Sequence, residues 1–189
     1  MSLTQNETLK GKKIAILATN GFEQDELFEP KKALEAAGAE VDVVSPESGE
    51  IKAWKDKDWG KKISVDVKLS DAEASSYDGI VLPGGVLNPD QLRMNPEAVA
   101  FVKTFVDADK PIAAICHGPW TLIETGLIKK GRKMTSWPSL KTDLENAGAE
   151  WVDEEVVVDQ GLVTSRKPAD LPAFNRKMIE EFKEGRHIH

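Results

Sequence analysis

The stretch PIAAICHGP, Pro111–Pro119, contains an apolar run that ends at Cys116, the only cysteine of the chain. His117 and a Gly-Pro pair follow this cysteine. A short, continuous apolar run predicts a strand that is covered on both faces of a sheet. Glycine and proline directly behind the run predict a sharp turn into a helix. The stretch therefore predicts a parallel sheet covered by helices, with a thiol at the end of one inner strand.

Apolar runs and helical patterns alternate along the rest of the chain. Strands are predicted at Lys13–Thr19, Glu40–Ser45, Asp78–Leu82, Lys110–Ile115, Lys133–Ser136 and, as a pair turning at Gln160-Gly161, within Trp151–Ser165. Helices are predicted at Asp25–Gly38, with a break or kink at Pro30, and at Pro96–Asp107, Pro119–Thr125, Ser139–Gly148 and Ala169–Glu184. The alternating pattern of Lys52–Val67 predicts a small antiparallel pair of strands that turns at Gly60. The alternation is typical of an α/β fold with a mainly parallel, doubly wound sheet and helices on both faces.

The composition predicts one cytoplasmic globular domain over residues 1–189. Hydrophobic residues make up 40% of the 189 residues and charged residues 30%, which is ordinary for a folded protein. The formal net charge of -7 argues against nucleic acid and anionic membranes as partners. No apolar run approaches the roughly 20 residues that span a bilayer, and the polar start does not resemble a signal peptide. Residues 1–11 are predicted as a flexible N-terminus and residues 185–189 as a tail.

No metal and no other cofactor are predicted. A single cysteine excludes an intrachain disulfide and a cysteine-cluster zinc site. His187 and His189 lie in the polar tail EGRHIH, where histidines alone are a weak indication of a metal site. The glycines at 84 and 85 are not followed by the GKS or GKT of a phosphate-binding loop.

Three candidate functional sequences follow predicted strands: Thr19–Glu26 (TNGFEQDE), Pro83–Asp90 (PGGVLNPD) and Cys116–Pro119 (CHGP). In a doubly wound sheet, ligands bind beyond the carboxyl ends of the strands. The three sequences are far apart along the chain, and the fold is expected to bring them together at one edge of the sheet. This convergence predicts a single site.

Cys116 has the setting of a nucleophile elbow, in which a strained turn exposes a reactive atom above the sheet. The N-terminus of the following helix is expected to lower the pKa of the thiol from about 8.5 into the range of roughly 3.5–7.5. The alternative is that Cys116 is only a small buried hydrophobe. An elbow allows but does not require contact between His117 and the sulfur. The backbone N–H groups of Gly84, Gly85 and His117 are predicted to form an oxyanion hole, the alternative for the glycines being a plain loop.

The sequence resembles the PfpI (intracellular protease I) family, part of a superfamily that also holds the Parkinson-linked protein deglycase. The segments that carry the resemblance are ATNGFEQDEL, VLPGG…NPD, AICHGP, TSWPSLKTDLENAG, EWVDEEVVVD and TSRKPADL. The resemblance implies a flavodoxin-like three-layer sandwich in a homodimer or larger homo-oligomer with a shared active site. It implies that Cys116 is the nucleophile, that Glu26 hydrogen-bonds its sulfur, and that Asp90 of an adjacent subunit orients His117. Many members carry Glu at the position of Asp90, and the loop GGVLNPD is one residue longer than in the archaeal protease pattern.

Residues around the predicted elbow admit more than one interpretation. Beside a thiol, partial burial and like charge would raise the pKa of Glu26, so that a protonated carboxyl could donate to the sulfur; the alternative is a solvated carboxylate in the first turn of a helix. Trp120 and Trp137 are predicted to line the pocket near Cys116, with packing in the core or in an interface as the alternative.

Three hypotheses for function follow. The first is a stress-related cysteine hydrolase acting on peptides or amides, in which Cys116 attacks and His117 transfers the proton. The second is a cofactor-free glyoxalase or deglycase, in which Cys116 adds to the aldehyde of methylglyoxal or its adducts. The third is a redox-sensing or chaperone-like stress protein, although the chain has no second cysteine to resolve a sulfenic acid. A class I glutamine amidotransferase would need a downstream His-x-Glu pair, which this sequence lacks.

Overall fold

The structure, a computed structural model, describes residues 8–187 apart from the side chain of Lys130. The strands are β1 (Lys13–Leu17), β2 (Phe22–Glu23), β3 (Glu40–Ser45), β4 (Glu50–Lys55), β5 (Asp58–Ser64), β6 (Val67–Lys68), β7 (Gly79–Leu82), β8 (Ile112–Ile115), β9 (Lys133–Met134), β10 (Glu150–Trp151), β11 (Val157–Asp159) and β12 (Leu162–Ser165). The α-helices are α1 (Gln24–Ala36), α2 (Leu87–Arg93), α3 (Pro96–Asp107), α4 (Pro119–Ile123), α5 (Lys141–Asn146) and α6 (Leu171–Glu184). Short 3-10 turns occupy Leu69–Asp71, Ala74–Ser76, Ile128–Lys130, Pro138–Leu140 and Pro168–Asp170.

The central sheet has seven strands in the order β11-β12-β8-β7-β1-β3-β6. All neighbouring strands are parallel except β11, which runs antiparallel to β12. After β1 the chain adds β3 on one side and then returns to place β7 on the other, so the winding direction reverses beside β1. The carboxyl ends of β1, β7 and β8 therefore lie together at the point where such folds bind ligands.

Residues of the inner strands are buried on both faces of the sheet. Ile14 and Ile16 of β1 belong to one hydrophobic cluster, whereas Ala15 and Leu17 belong to the other. The first cluster contains residues of α1 and α6, including Leu27, Leu34, Phe174, Met178 and Phe182. The second contains residues of α3, including Phe101, Val102 and Phe105. The predicted three-layer α/β sandwich is confirmed, and the double coverage explains why these strands are continuously apolar.

Several local predictions need correction. Helix α1 continues through Pro30 without a break, so the proline removes only the hydrogen bond that residue 30 would donate to the carbonyl of Glu26. The antiparallel pair β4 and β5 turns at Asp56-Lys57, where Asp56 has a φ of 56°, and Gly60 lies inside β5. The strands β2 and β6 and the helix α2 were not predicted.

The described residues nearest the chain ends contact the body of the protein. Leu9 is fully buried, and its N–H donates to the carbonyl of Ala37 at 2.8 Å, so residue 9 packs against the end of α1. The N–H of His187 donates to the carbonyl of Asp109 at 3.0 Å, which holds the tail against the body of the protein. Residues 1–7 and 188–189, including His189, lie outside the described residues. Between residues 8 and 187, none of the helices combines the length and apolar composition that crossing a bilayer requires.

Gly118 offers a direct test of how closely β8 and α4 approach β7. Its φ of −50° suits any residue, but a Cβ there would lie 2.3 Å from the carbonyl oxygen of Leu82. We expect Gly118→Ala to lower the free energy of unfolding by about 3 kcal/mol, because backbone atoms must move to admit the methyl group. Urea denaturation measures this loss.

Gly126→Ala is the matched control for that substitution. Gly126 has a φ of +81° with no atom within 4 Å of the added Cβ, so only backbone strain of about 1 kcal/mol is expected. Equal losses in the two variants would contradict the close approach at Gly118.

Candidate active site

Cys116 directly follows β8 and has a left-handed backbone conformation, with a φ of 62°. Its N–H donates to the carbonyl of Ser165 at 3.0 Å, and its carbonyl accepts from the N–H of Trp137 at 2.9 Å. A non-glycine residue persists in this conformation only where surrounding contacts impose it. The predicted elbow is therefore present in the backbone, and β12 and the segment before Pro138 hold it from both sides.

The side chains of Cys116 and His117 are in contact. The Cys116 Sγ lies 3.2 Å from the His117 Nδ1, which answers the question that the sequence left open. Burial lowers the pKa of His117 to about 4, so the imidazole is neutral at neutral pH. The His117 ring stacks on Trp137 at 6.1 Å between centroids and meets the edge of Trp120 at 5.3 Å. Both tryptophans therefore lie beside the site and fix the ring that touches the sulfur.

Glu26 brings a completely buried carboxyl group to the sulfur from the first turn of α1. Its Oε1 accepts a hydrogen bond of 2.9 Å from the N–H of Gly84. The Glu26 Oε2 is buried and has no hydrogen-bond partner of ordinary geometry among the described residues. The carboxyl group nevertheless interacts with the thiol of Cys116. Burial, followed by the charge of Glu23, raises the pKa of Glu26 well above its usual range. A neutral carboxyl has one O–H to donate, and the Cys116 sulfur is an available acceptor.

The surroundings of the sulfur oppose the easy ionisation that the sequence predicts. Burial is the main cause that raises the pKa of Cys116, and a negative charge on Glu26 would raise it further, although the N–H groups of Gly85 and His117 act in the opposite direction. Helix α4 has only five residues, and so its dipole is too small to offset the loss of hydration. These pKa shifts favour a thiol beside a neutral imidazole in the resting site.

Two of the three predicted oxyanion-hole residues point a backbone N–H at the sulfur. These are Gly85 and His117. The N–H of Gly84 is bonded to Glu26 instead, so the predicted place of Gly84 among the donors needs correction. A Cβ at Gly84 would lie 2.5 Å from the Glu26 Oε1 and 2.7 Å from the Cys116 Cβ. Gly84 thus allows the carboxyl and the thiol to approach each other.

Asp90 does not join the other site residues within one chain. It lies on α2 and is exposed. Among residues 8–187, its carboxylate makes no hydrogen bond or ion pair. The role implied for it, orienting His117 across a subunit interface, therefore stays a prediction.

Sequence reasoning missed the part played by Asn88, which is fully buried. Its Oδ1 accepts from the N–H of Thr19 at 2.8 Å, and its Nδ2 donates to the carbonyls of Pro83 and Gly84 at 3.1 Å. The side chain thereby ties the end of β1 to the glycine turn after β7. A polar residue between the apolar Leu87 and Pro89 was the available signal in the sequence.

The geometry defines a class: an α/β protein whose flavodoxin-like sheet presents a cysteine on a strained strand-to-helix elbow, next to a histidine and a buried carboxyl group. The DJ-1/PfpI family model matches residues 12–181. The chain belongs to this DJ-1/PfpI family, which confirms the resemblance seen in the sequence.

Relatives of similar length share more than two fifths of the sequence. "General stress protein 18" of Bacillus subtilis is 46% identical over 89% of this chain and 96% of its own length. "Putative cysteine protease YraA" of the same organism is 45% identical over 91% of this chain and 99% of its own length. "Deglycase TK1284" of Thermococcus kodakarensis is 42% identical over 89% of this chain and 98% of its own length.

Among solved structures, the protein is similar to the crystal structure of Drosophila melanogaster DJ-1beta. The two are 30% identical, with a TM-score of 0.81 over 91% of this chain and 90% of that chain. The fold and the path of the chain around the site are therefore shared along almost the whole length.

The neutral state of buried His117 predicts how stability depends on pH. An unfolded chain protonates this histidine near pH 6.5, whereas the folded protein resists protonation until about pH 4. Between these values the unfolded state binds more protons, so stability falls as pH falls. We expect the wild type to lose about 2 kcal/mol more than His117→Phe between pH 7 and pH 4.5, as measured by urea denaturation. Parallel pH profiles for the two proteins would refute a neutral His117.

Proposed function

We propose that the protein is a cysteine-dependent hydrolase acting on amide or peptide bonds, with Cys116 as the nucleophile. The single observation that carries the proposal is the contact of 3.2 Å between the Cys116 Sγ and the His117 Nδ1. A nucleophile and a base within hydrogen-bond reach are the minimum requirement for covalent acyl transfer.

The raised pKa of Cys116 determines the order of the steps. Because the resting sulfur carries its proton, the S–H proton passes to the neutral His117 Nδ1 as the sulfur bonds to the carbonyl carbon. Negative charge then develops on the substrate oxygen, and the backbone N–H groups of Gly85 and His117 are the donors nearest to it. When the C–N bond breaks, His117 returns the proton to the leaving amine. Water hydrolyses the remaining thioester and restores the thiol.

The names of the relatives support a thiol enzyme in a stress-related setting. One relative carries the name of a cysteine protease and another that of a general stress protein. The substrate is expected to be small or extended, because Cys116 and His117 are only 7% and 8% exposed. A folded polypeptide could not bring its backbone to the sulfur through so narrow an opening.

A second candidate is a glyoxalase or deglycase, favoured by the neutral carboxyl group of Glu26. Addition of the sulfur to an aldehyde forms a hemithioacetal, and the following proton shifts need both a donor and an acceptor but no leaving group. Glu26 and His117 supply such a pair within reach of Cys116. A relative of 42% identity is named as a deglycase.

A panel of fluorogenic peptides and a parallel assay with methylglyoxal separate the two candidates. For hydrolysis, we expect Cys116→Ser to lower kcat/KM at least about 1000-fold and His117→Phe about 100-fold, because one removes the nucleophile and the other its base. Far-UV circular dichroism of both variants controls for folding.

The outcomes of these two assays are distinct. Cysteine-dependent lactate formation without peptide turnover would replace hydrolysis by the glyoxalase reaction. Activity that survives in Cys116→Ser would overturn both. Absence of either activity, together with stable sulfinate formation at Cys116 in mild peroxide, would favour redox sensing.

We further propose that Asp90 completes the site of a neighbouring subunit. The carboxylate lies on the surface helix α2, beside the exposed apolar residues Val86, Leu87 and Met94, and Trp137 next to His117 is 39% exposed. Exposed apolar residues around a polar group are typical of an interface between subunits. In this arrangement the carboxylate of one subunit would accept a hydrogen bond from the His117 ring of the other.

Mixed oligomers test this arrangement. Asp90→Asn and Cys116→Ser are each expected to be inactive, whereas a dimer formed from one subunit of each has one complete site if Asp90 acts across the interface. Random pairing at equal concentrations makes half of all dimers mixed, so about a quarter of wild-type activity should return.

The distant carboxylate of Asp107 provides the control, since Asp107→Asn should retain full activity. Asp90→Asn with wild-type activity, or mixing that restores none, would refute the shared site. Sedimentation of the active species establishes whether it is a dimer.

A further inference from the structure

A second cluster of chemistry-bearing side chains lies at the C-terminal end of α6. Glu181 and Glu184 occupy the last turn of the helix, and His187 follows the turn at Gly185. One ligand atom from each of the three residues lies within 4.8 Å of the other two. The cluster combines two carboxylates and an imidazole, which is a donor set suited to Zn²⁺.

The backbone holds His187 in place independently of its side chain. Its N–H donates to the carbonyl of Asp109, and its Cβ would lie 3.1 Å from a Cβ added to Gly161. Glycine at 161 therefore allows the histidine to pack closely against the turn between β11 and β12. A ligand that is positioned by two other loops loses little conformational entropy when it binds an ion.

The interatomic distances are compatible with a zinc site. The His187 Nε2 lies 3.3 Å from the Glu181 Oε2 and 3.1 Å from the Glu184 Oε2. The Nε2 is nevertheless buried without an aligned hydrogen-bond partner. Zinc bonds of about 2.0–2.2 Å in a tetrahedron place neighbouring ligand atoms roughly 3.4 Å apart. The His187 Nε2 therefore lies close to the spacing of ligands of one ion from both carboxylate oxygens.

Electrostatics also favours a cation at this position. The carboxyl group of Glu181 is buried, and Glu184 lies in the same last turn of the helix. The site lies at the carboxyl end of a 14-residue helix, where the helix dipole favours positive charge. A divalent ion would neutralise both carboxylates at once.

We propose that Glu181, Glu184 and His187 form a binding site for Zn²⁺ that fastens the C-terminal segment to the body of the protein. Asp109 and Gly161 precede β8 and β12, so the site lies at the amino edge of the sheet, opposite Cys116. The role is structural, and it does not depend on the reaction at the thiol.

Titration with Zn²⁺ followed by isothermal calorimetry tests the proposal on the full chain carrying Cys116→Ser. That background removes the only thiol, so the candidate active site contributes no thiolate ligand. We expect one bound equivalent, with a Kd that Glu181→Gln and His187→Gln each raise at least about tenfold. Glu180→Gln is the matched control, because this neighbouring carboxylate pairs with Lys177 at 2.9 Å on the exposed side of α6, and it should leave the Kd unchanged.

Thermal melting provides a second measurement that does not depend on the heat of binding. Zinc should raise the Tm of the Cys116→Ser parent and of Glu180→Gln, but not that of His187→Gln. Co²⁺ bound in place of zinc should give the visible absorption of a tetrahedral site in the parent. Folded protein that binds no zinc, or binding that Glu181→Gln and His187→Gln leave intact, would overturn the proposal.

Discussion

The left-handed backbone at Cys116 is the constraint on which the rest of the site depends. An L-amino acid adopts a φ of 62° only at a cost of about 1–3 kcal/mol. Hydrogen bonds from Cys116 to Ser165 and from Trp137 to Cys116 hold this conformation, and glycines at 84 and 118 leave room for it. The sulfur therefore meets His117 and Glu26 only because β12, β7 and the segment before Pro138 are all in place around it.

Burial disfavours the charged forms of the groups around the sulfur. The thiol of Cys116 and the carboxyl of Glu26 lie side by side, and loss of hydration raises the pKa of both, while it lowers the pKa of His117. An ion pair of thiolate and imidazolium would have to form inside this buried site at a large cost. In the reaction proposed above, charge instead develops during attack on a carbonyl, where the N–H groups of Gly85 and His117 can receive it.

Patterns of adjacent residues predicted the fold. The features that these patterns did not predict depend on contacts between residues far apart in the sequence. Strand β3 and helix α3 have the predicted bounds, because double burial and the Asn95-Pro96 cap are features of adjacent residues. The elbow and the meeting of three strand ends were likewise predictable from sequence order. The Gly84–Glu26 bond and the tie from Asn88 to Thr19 join residues 58 and 69 positions apart. Neither these contacts nor the raised pKa of Cys116 has a signature in local spacing.

The helical layer of α1 and α6, which carries Glu26, also connects the carboxyl edge of the sheet, where Cys116 lies, with the amino edge near His187. Leu27, the neighbour of Glu26 on α1, belongs to the same buried cluster as Met178 and Phe182 on α6, and α6 leads directly to His187. The depth at which the carboxyl enters the site is set by how α1 packs on the sheet, and α6 packs beside it. Close-packed interiors transmit displacement because they have no free volume to absorb it. The geometry around the sulfur is therefore supported from the C-terminal end of the chain as well as from the strands that surround it.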